Sequence, residues 1–173
     1  MNFSKIEEQY INNLLSSNQQ LQTETIEEIR ISGSSKLLPF LIELLHVSKN
    51  EDIKMQVYGI LSELKHSDSI PIMMDAILNE KYKTEQEMLI RSCWENGLDF
   101  TPYISVFVEI VIYGDYMTAF EAFTVIENLE GTISGEEVKK LISYLQNGLS
   151  HALNERKVLI QELIQFIPKL QFE

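Results

Sequence analysis

The 173-residue sequence predicts an all-α protein of about five stacked helical hairpins, and three observations carry that expectation. Apolar residues recur at helical spacing in one segment after another, while the period-two alternation of strands is hard to find. Prolines 39, 71 and 102 each stand at the head of an apolar segment, 32 and 31 residues apart. The apolar pairs Ile60-Leu61, Cys93-Trp94 and Val125-Ile126 step by 33 and 32 residues, so a second ruler has the same period. A period of this size marks supersecondary units that bury their apolar faces only by stacking on neighbours.

Each element has a local reason. Ser4 and Glu7 have capping-box spacing and open a helix to Leu15, with Ile6, Tyr10, Ile11, Leu14 and Leu15 on one face. The polar run SSNQQLQ reads as a loop before a short second helix, Thr25 to Ile31, and Gly33, Ser34 and Ser35 separate that helix from the next. Pro39 falls in the first turn of a helix running to about His46, where a missing N–H costs little. The turn VSKNED leads to a helix from Ile53 to Lys65, with Val57, Ile60, Leu61 and Leu64 on its apolar face. Pro71 opens a helix carrying Ile70, Ile72, Met73, Met74, Ile77 and Leu78. After NEKYK, Thr84 and Glu87 have capping-box spacing for a helix through Cys93 and Trp94 that Gly97 stops.

The run YISVFVEIVIY after Pro102 is apolar almost all round, which requires cover on most sides and places it in the middle of the stack. Gly114 and Asp115 break the chain before a helix from Thr118 to Leu129. Ser134 with Glu137 is the third capping-box spacing and opens a helix through Val138, Leu141, Ile142, Leu145 and Leu149. Asn154 caps a last helix carrying Val158, Leu159, Leu163, Ile164 and Ile167, and Pro168 closes it, for ten helical segments in all.

On these residues the chain resembles the HEAT-repeat family. LLPFLIELLHVSKNEDIKMQVYGILSEL, Leu37 to Leu64, is the closest copy, with Asp52 and Lys54 as the turn aspartate and the basic residue early in the second helix. Later units run from Ile70 to Gly97, Thr101 to Leu129 and Glu136 to Ile167, with a degenerate copy before Gly33; Gln86 and Glu87 depart from the pattern. The resemblance implies a right-handed α-α superhelix and a binding or scaffold role, and it carries no catalytic residues over. Armadillo-like and other hairpin stacks share the pattern.

Composition bounds the function. Length and a hydrophobic content of 45% fit one globular domain over 1–173. The formal net charge of -12 opposes binding to nucleic-acid phosphates and to anionic membranes. No basic segment followed by an apolar one opens the sequence, and the most apolar run falls short of the roughly 20 residues of a membrane span. With one cysteine, Cys93, no internal disulfide forms, and the cytoplasm is the expected compartment.

Candidate chemistry is sparse. His46, His66 and His151 share no helix face with another ligand at metal-binding spacing, and none is followed by the glutamate that metal-dependent hydroxylases built from HEAT-like repeats place after a histidine. Cys93 sits mid-helix at a core register, where a thiol is an inert hydrophobe rather than a nucleophile. No cofactor or metal is expected, and no catalytic residue is assigned. The hairpin register instead aligns Tyr58, Arg91, Phe123 and Gln161 beside the core stripe, with Lys54, Glu87, Ala119 and Lys157 in a second row. Lys54, Tyr58, Arg91, Phe123 and Gln161 are the candidate partner-binding residues; packing between helices is the alternative for Tyr58 and Phe123.

Charge is concentrated between Lys83 and Glu137, with eleven acidic and two basic residues. Solvated helix faces account for such a belt, and so does a basic partner. Three functions stay open: a non-catalytic protein-binding or scaffold module, an acidic inhibitor or immunity-type protein that masks a basic partner, and a lyase or hydrolase using a pocket between hairpins.

Overall fold

The computed structural model describes residues 3–171. Among them every regular element is helical, ten α-helices and four 3-10 segments, with one isolated bridge between Ile133 and Gln171. The chain divides into two compact units, Met1–Ser92 and Cys93–Glu173. The boundary falls inside α6 (Gln86–Glu95).

In the N-terminal unit, α1 (Lys5–Leu14) begins with the expected capping box. The Ser4 amide donates to Glu7 Oε2 at 2.8 Å and the Glu7 amide to Ser4 Oγ at 3.2 Å. Its predicted face is only partly used: Leu14 is buried, Tyr10 and Ile11 are half-buried, and Ile6 and Leu15 are exposed. The predicted loop and short helix are one helix of 14 residues, α2 (Gln19–Ser32). The Asn18 side chain accepts from the Leu21 amide at 3.2 Å, which starts α2 inside the polar run. Gly33 ends it in the left-handed region, φ 65°, where a side chain would be strained.

The best-matched hairpin forms largely as expected. A 3-10 turn, Ser35–Leu37, leads into α3 (Leu38–Val47), with Pro39 in its first turn. The next helix, α4 (Glu51–Ser62), starts before Ile53 because the Asn50 side chain accepts from the Asp52 amide at 2.9 Å, and it ends short of Lys65. Leu37, Leu38, Leu41, Ile42, Leu44, Leu45, Ile53, Val57, Ile60 and Leu61 are all buried. α5 (Ser69–Ile77) packs on α3 and leads to a 3-10 segment, Glu80–Glu85. Thr84 lies inside that segment and does not head α6, so the second capping-box expectation is corrected. A buried glutamine does the joining: the Gln86 side-chain Nε2 donates to the Ile77 carbonyl at 2.9 Å.

In the C-terminal unit, α7 (Ile104–Tyr113) follows a 3-10 turn, Thr101–Tyr103, and packs on α8 (Tyr116–Glu127), α9 (Gly135–Leu149) and α10 (Asn154–Phe166). This three-sided cover is what a helix without a polar face requires. Ile104, Phe107, Val108, Val111 and Ile112 are buried, and Phe107 meets Phe100 edge to face at 6.0 Å. α8 starts two residues before Thr118 because Asp115 caps it, accepting from the Thr118 amide at 3.1 Å and from its hydroxyl at 2.7 Å. Ser134 accepts from the Glu137 amide at 3.2 Å and heads α9. The side chain of Asn154, the expected last cap, lies outside the described residues. Val158 is exposed rather than on the core face, which Leu159, Ile160 and Leu163 supply. Pro168 stands in a 3-10 turn, Ile167–Leu170, at the end of α10.

α9 approaches α7 closely at Gly148, where a Cβ would lie 2.7 Å from Ile112 Cγ2 and 2.9 Å from Cγ1. Alanine there gains about 1 kcal/mol in helix propensity, but overpacking against a buried β-branched neighbour costs about 1–3 kcal/mol. Gly148→Ala is therefore expected to lower stability, read as an earlier urea midpoint at unchanged slope.

Candidate binding surface

The structure separates the predicted row into surface and core. Tyr58 on α4 is half-buried, and the Arg91 guanidinium of α6 lies 6.0 Å from its ring centroid, within reach of a cation–π contact. These two predicted residues are brought together. Lys54 turns along its own helix to Glu51 at 3.1 Å, and Gln161 is exposed on α10. Phe123 is only 5% exposed and Ala119 is fully buried. The register that Asp115 sets turns Thr118, Ala119, Ala122, Phe123, Val125 and Ile126 inward, so Phe123 packs in the core and offers no ring to a partner.

That same register leaves three large apolar side chains of α8 outside. Tyr116, Met117 and Phe120 are 42%, 48% and 42% exposed, and the Tyr116 and Phe120 rings stand 6.4 Å apart. On α10, which packs against α8, Val158 is also exposed. An i, i+4 aromatic pair was available as a signal, but placing the helix start at Thr118 hid Tyr116 in a turn. Aromatic residues and methionine are the types enriched at protein interfaces.

Carboxylates border this face unevenly. Glu127 ends α8, and its carboxyl is held above the ordinary range by burial and then by the Glu162 carboxylate of α10, with Lys169 opposing the shift. Glu121, which the charge count places in the acidic belt, is buried instead: the Trp94 indole N–H donates to its Oε2 at 2.8 Å. Its carboxyl belongs to the interior of the fold.

A polar network pins the 3-10 segment Glu80–Glu85 to α3. The Tyr82 hydroxyl donates to Glu43 Oε2 at 2.9 Å, and the Lys81 ammonium donates to the same oxygen. His46 Nδ1 meets Glu85 Oε2 at 2.9 Å, and the His46 ring stands edge-on to Tyr82 at 5.5 Å. The hydrogen bond from Lys81, followed by that from Tyr82, holds the Glu43 carboxyl below its ordinary value of 4.5. These partners lie 38 and 39 residues apart, too far for motif spacing to show them. Burial pushes the Cys93 thiol up, against thiolate formation. Among the described residues no three His, Cys, Asp or Glu side chains gather as metal ligands, and no helix is long and apolar enough to cross a membrane.

No protein-family model and no curated protein matches this chain.

Two expected outcomes test these contacts. Glu121→Gln keeps an acceptor for Trp94, whereas Glu121→Leu leaves the indole N–H without one and should destabilise by about 1 kcal/mol more. The chain has one tryptophan, so its fluorescence unfolding curve reads both variants directly. Glu43 has a depressed folded-state pKa, so its contribution is complete above about pH 4.5 and is lost as pH falls through the folded value. The stability of Glu43→Gln should fall less steeply than that of the parent as pH drops below about 4.5, in urea melts at fixed salt.

Proposed function

We propose that the chain is a non-catalytic protein-binding or scaffold module of HEAT-like hairpin type, engaging its partner through the outward face of α8. The exposed cluster of Tyr116, Met117 and Phe120 carries this reading, because large apolar side chains grouped on one helix face, of types enriched at interfaces, mark an interaction surface. The hairpin reading is supported by sequential pairing of α1 with α2, α3 with α4, α7 with α8 and α9 with α10. It is supported further by Gln22 and Gln86, buried residues two periods apart in sequence that each tie a second helix to the end of the helix before it.

A second reading, an acidic inhibitor or immunity-type protein, is favoured by one observation. The Glu162 carboxylate adds to the charging cost of Glu127 at the edge of the α8 face, and a partner's lysine or arginine would relieve it. The two readings differ in their response to salt.

Phe120→Asp and Met117→Asp fall on exposed positions and should leave the thermal midpoint within about 2 °C of the parent, a surface-sized effect. Each should reduce partner capture at least tenfold, measured with a purified partner obtained by crosslinking from the source cells. Undiminished capture by both variants would remove the α8 face from the proposal. If Glu127→Lys weakens capture and the parent's affinity falls steeply with salt, the masking reading gains; capture indifferent to both favours the apolar scaffold contact.

A further inference from the structure

The N-terminal unit holds a cleft of about 240 Å³ where the C-terminal ends of α2 and α4 meet the starts of α3 and α5. Its floor is apolar, with Leu38 and Ile60 buried, and its rim carries Arg30, Lys65, His66 and Glu63.

Arg30 is the group that stands out. Its guanidinium reaches the Gln56 carbonyl at 3.5 Å, Glu63 at 3.7 Å and Glu27 at 3.9 Å. Every one of these is longer than the roughly 2.7–2.9 Å of a charge-assisted hydrogen bond. The donor fork is thus placed but underused. What places it is Gly59, in the middle of α4: a Cβ there would lie 3.1 Å from Arg30 Nη2. A mid-helix glycine is unfavourable for α4 on its own, and here it opens the room in which the guanidinium lies against the helix.

We propose that this cleft binds a small apolar monocarboxylate, with Arg30 gripping the carboxylate and the floor of Leu38 and Ile60 covering the hydrocarbon. A planar fork matches a carboxylate in two-point contact. A dianion fits poorly, because Glu63 stands beside the guanidinium, and Glu7 and Asp68 accept from the neighbouring Ser34 and Ser35 hydroxyls at 2.9 and 2.6 Å. The volume lies below the 300–1,000 Å³ or so of drug-sized pockets and suits a short chain.

The full chain, titrated with sodium hexanoate, hexylamine and inorganic phosphate at constant ionic strength, tests this by amide NMR. Hexanoate should shift the amides of Gly33, Gly59 and Leu64 saturably, while hexylamine and phosphate should not. Arg30→Met should weaken hexanoate at least tenfold. Gly59→Ala crowds only the far end of the Arg30 side chain and favours the helix, so it should weaken hexanoate severalfold without lowering the thermal midpoint. The proposal is overturned by an absent or non-saturating hexanoate response, by phosphate binding as well as hexanoate, or by both variants binding as the parent does.

Discussion

Helices that end in tight turns leave carbonyls without partners, and the structure depends on how those ends are closed. Among the described residues, side chains from later helices close the ends of α1, α5 and α7. Gln22 donates to Leu14 and Ser16 at 3.0 and 2.8 Å, Gln86 donates to Ile77, and Arg156 Nη1 donates to Ile112 and Gly114 at 2.7 and 3.0 Å. In each case one bond satisfies a helix end and fixes where the next element lies. Apolar packing supplies the driving force, but it tolerates sliding; these directional bonds do not.

This division explains what could be read in the sequence. Apolar spacing and prolines located all ten helices, because burial imposes the 3.6-residue period on any helix with a core face. Helix starts were legible where a cap was local, as at Ser4 and Ser134. They were misplaced where the cap belonged to an unremarked polar run, as at Asn18, or to a residue read as a breaker, as at Asp115. Gln22 looked like loop composition, since nothing local tells a buried glutamine from a solvated one. Of the candidate surface, Tyr58 and Arg91 were visible through the repeat register, while the same register chose Phe123, which is buried, and passed over Phe120, which is exposed.

Charge and apolarity are also partitioned more finely than composition suggests. The belt between Lys83 and Glu137 contains Glu121, which serves Trp94 in the interior, and Glu127, which faces another carboxylate. Counting charges along the chain treats these alike. Their environments differ in kind: one carboxylate has a hydrogen-bond donor inside the fold, and the other lies between the Glu162 carboxylate and the Lys169 ammonium.

The clasps also set an order in time. Gln22 reaches back 8 and 6 residues and Gln86 reaches back 9, so the N-terminal hairpins can close as soon as they leave the ribosome. The end of α7 waits 42 to 44 residues for Arg156, and Ile133 waits for Leu170 to accept its amide at 2.9 Å. During synthesis the final turn of α7 therefore stays open until Arg156 has been made. The C-terminal unit is thus closed by contacts of longer sequence separation than those that close the N-terminal hairpins.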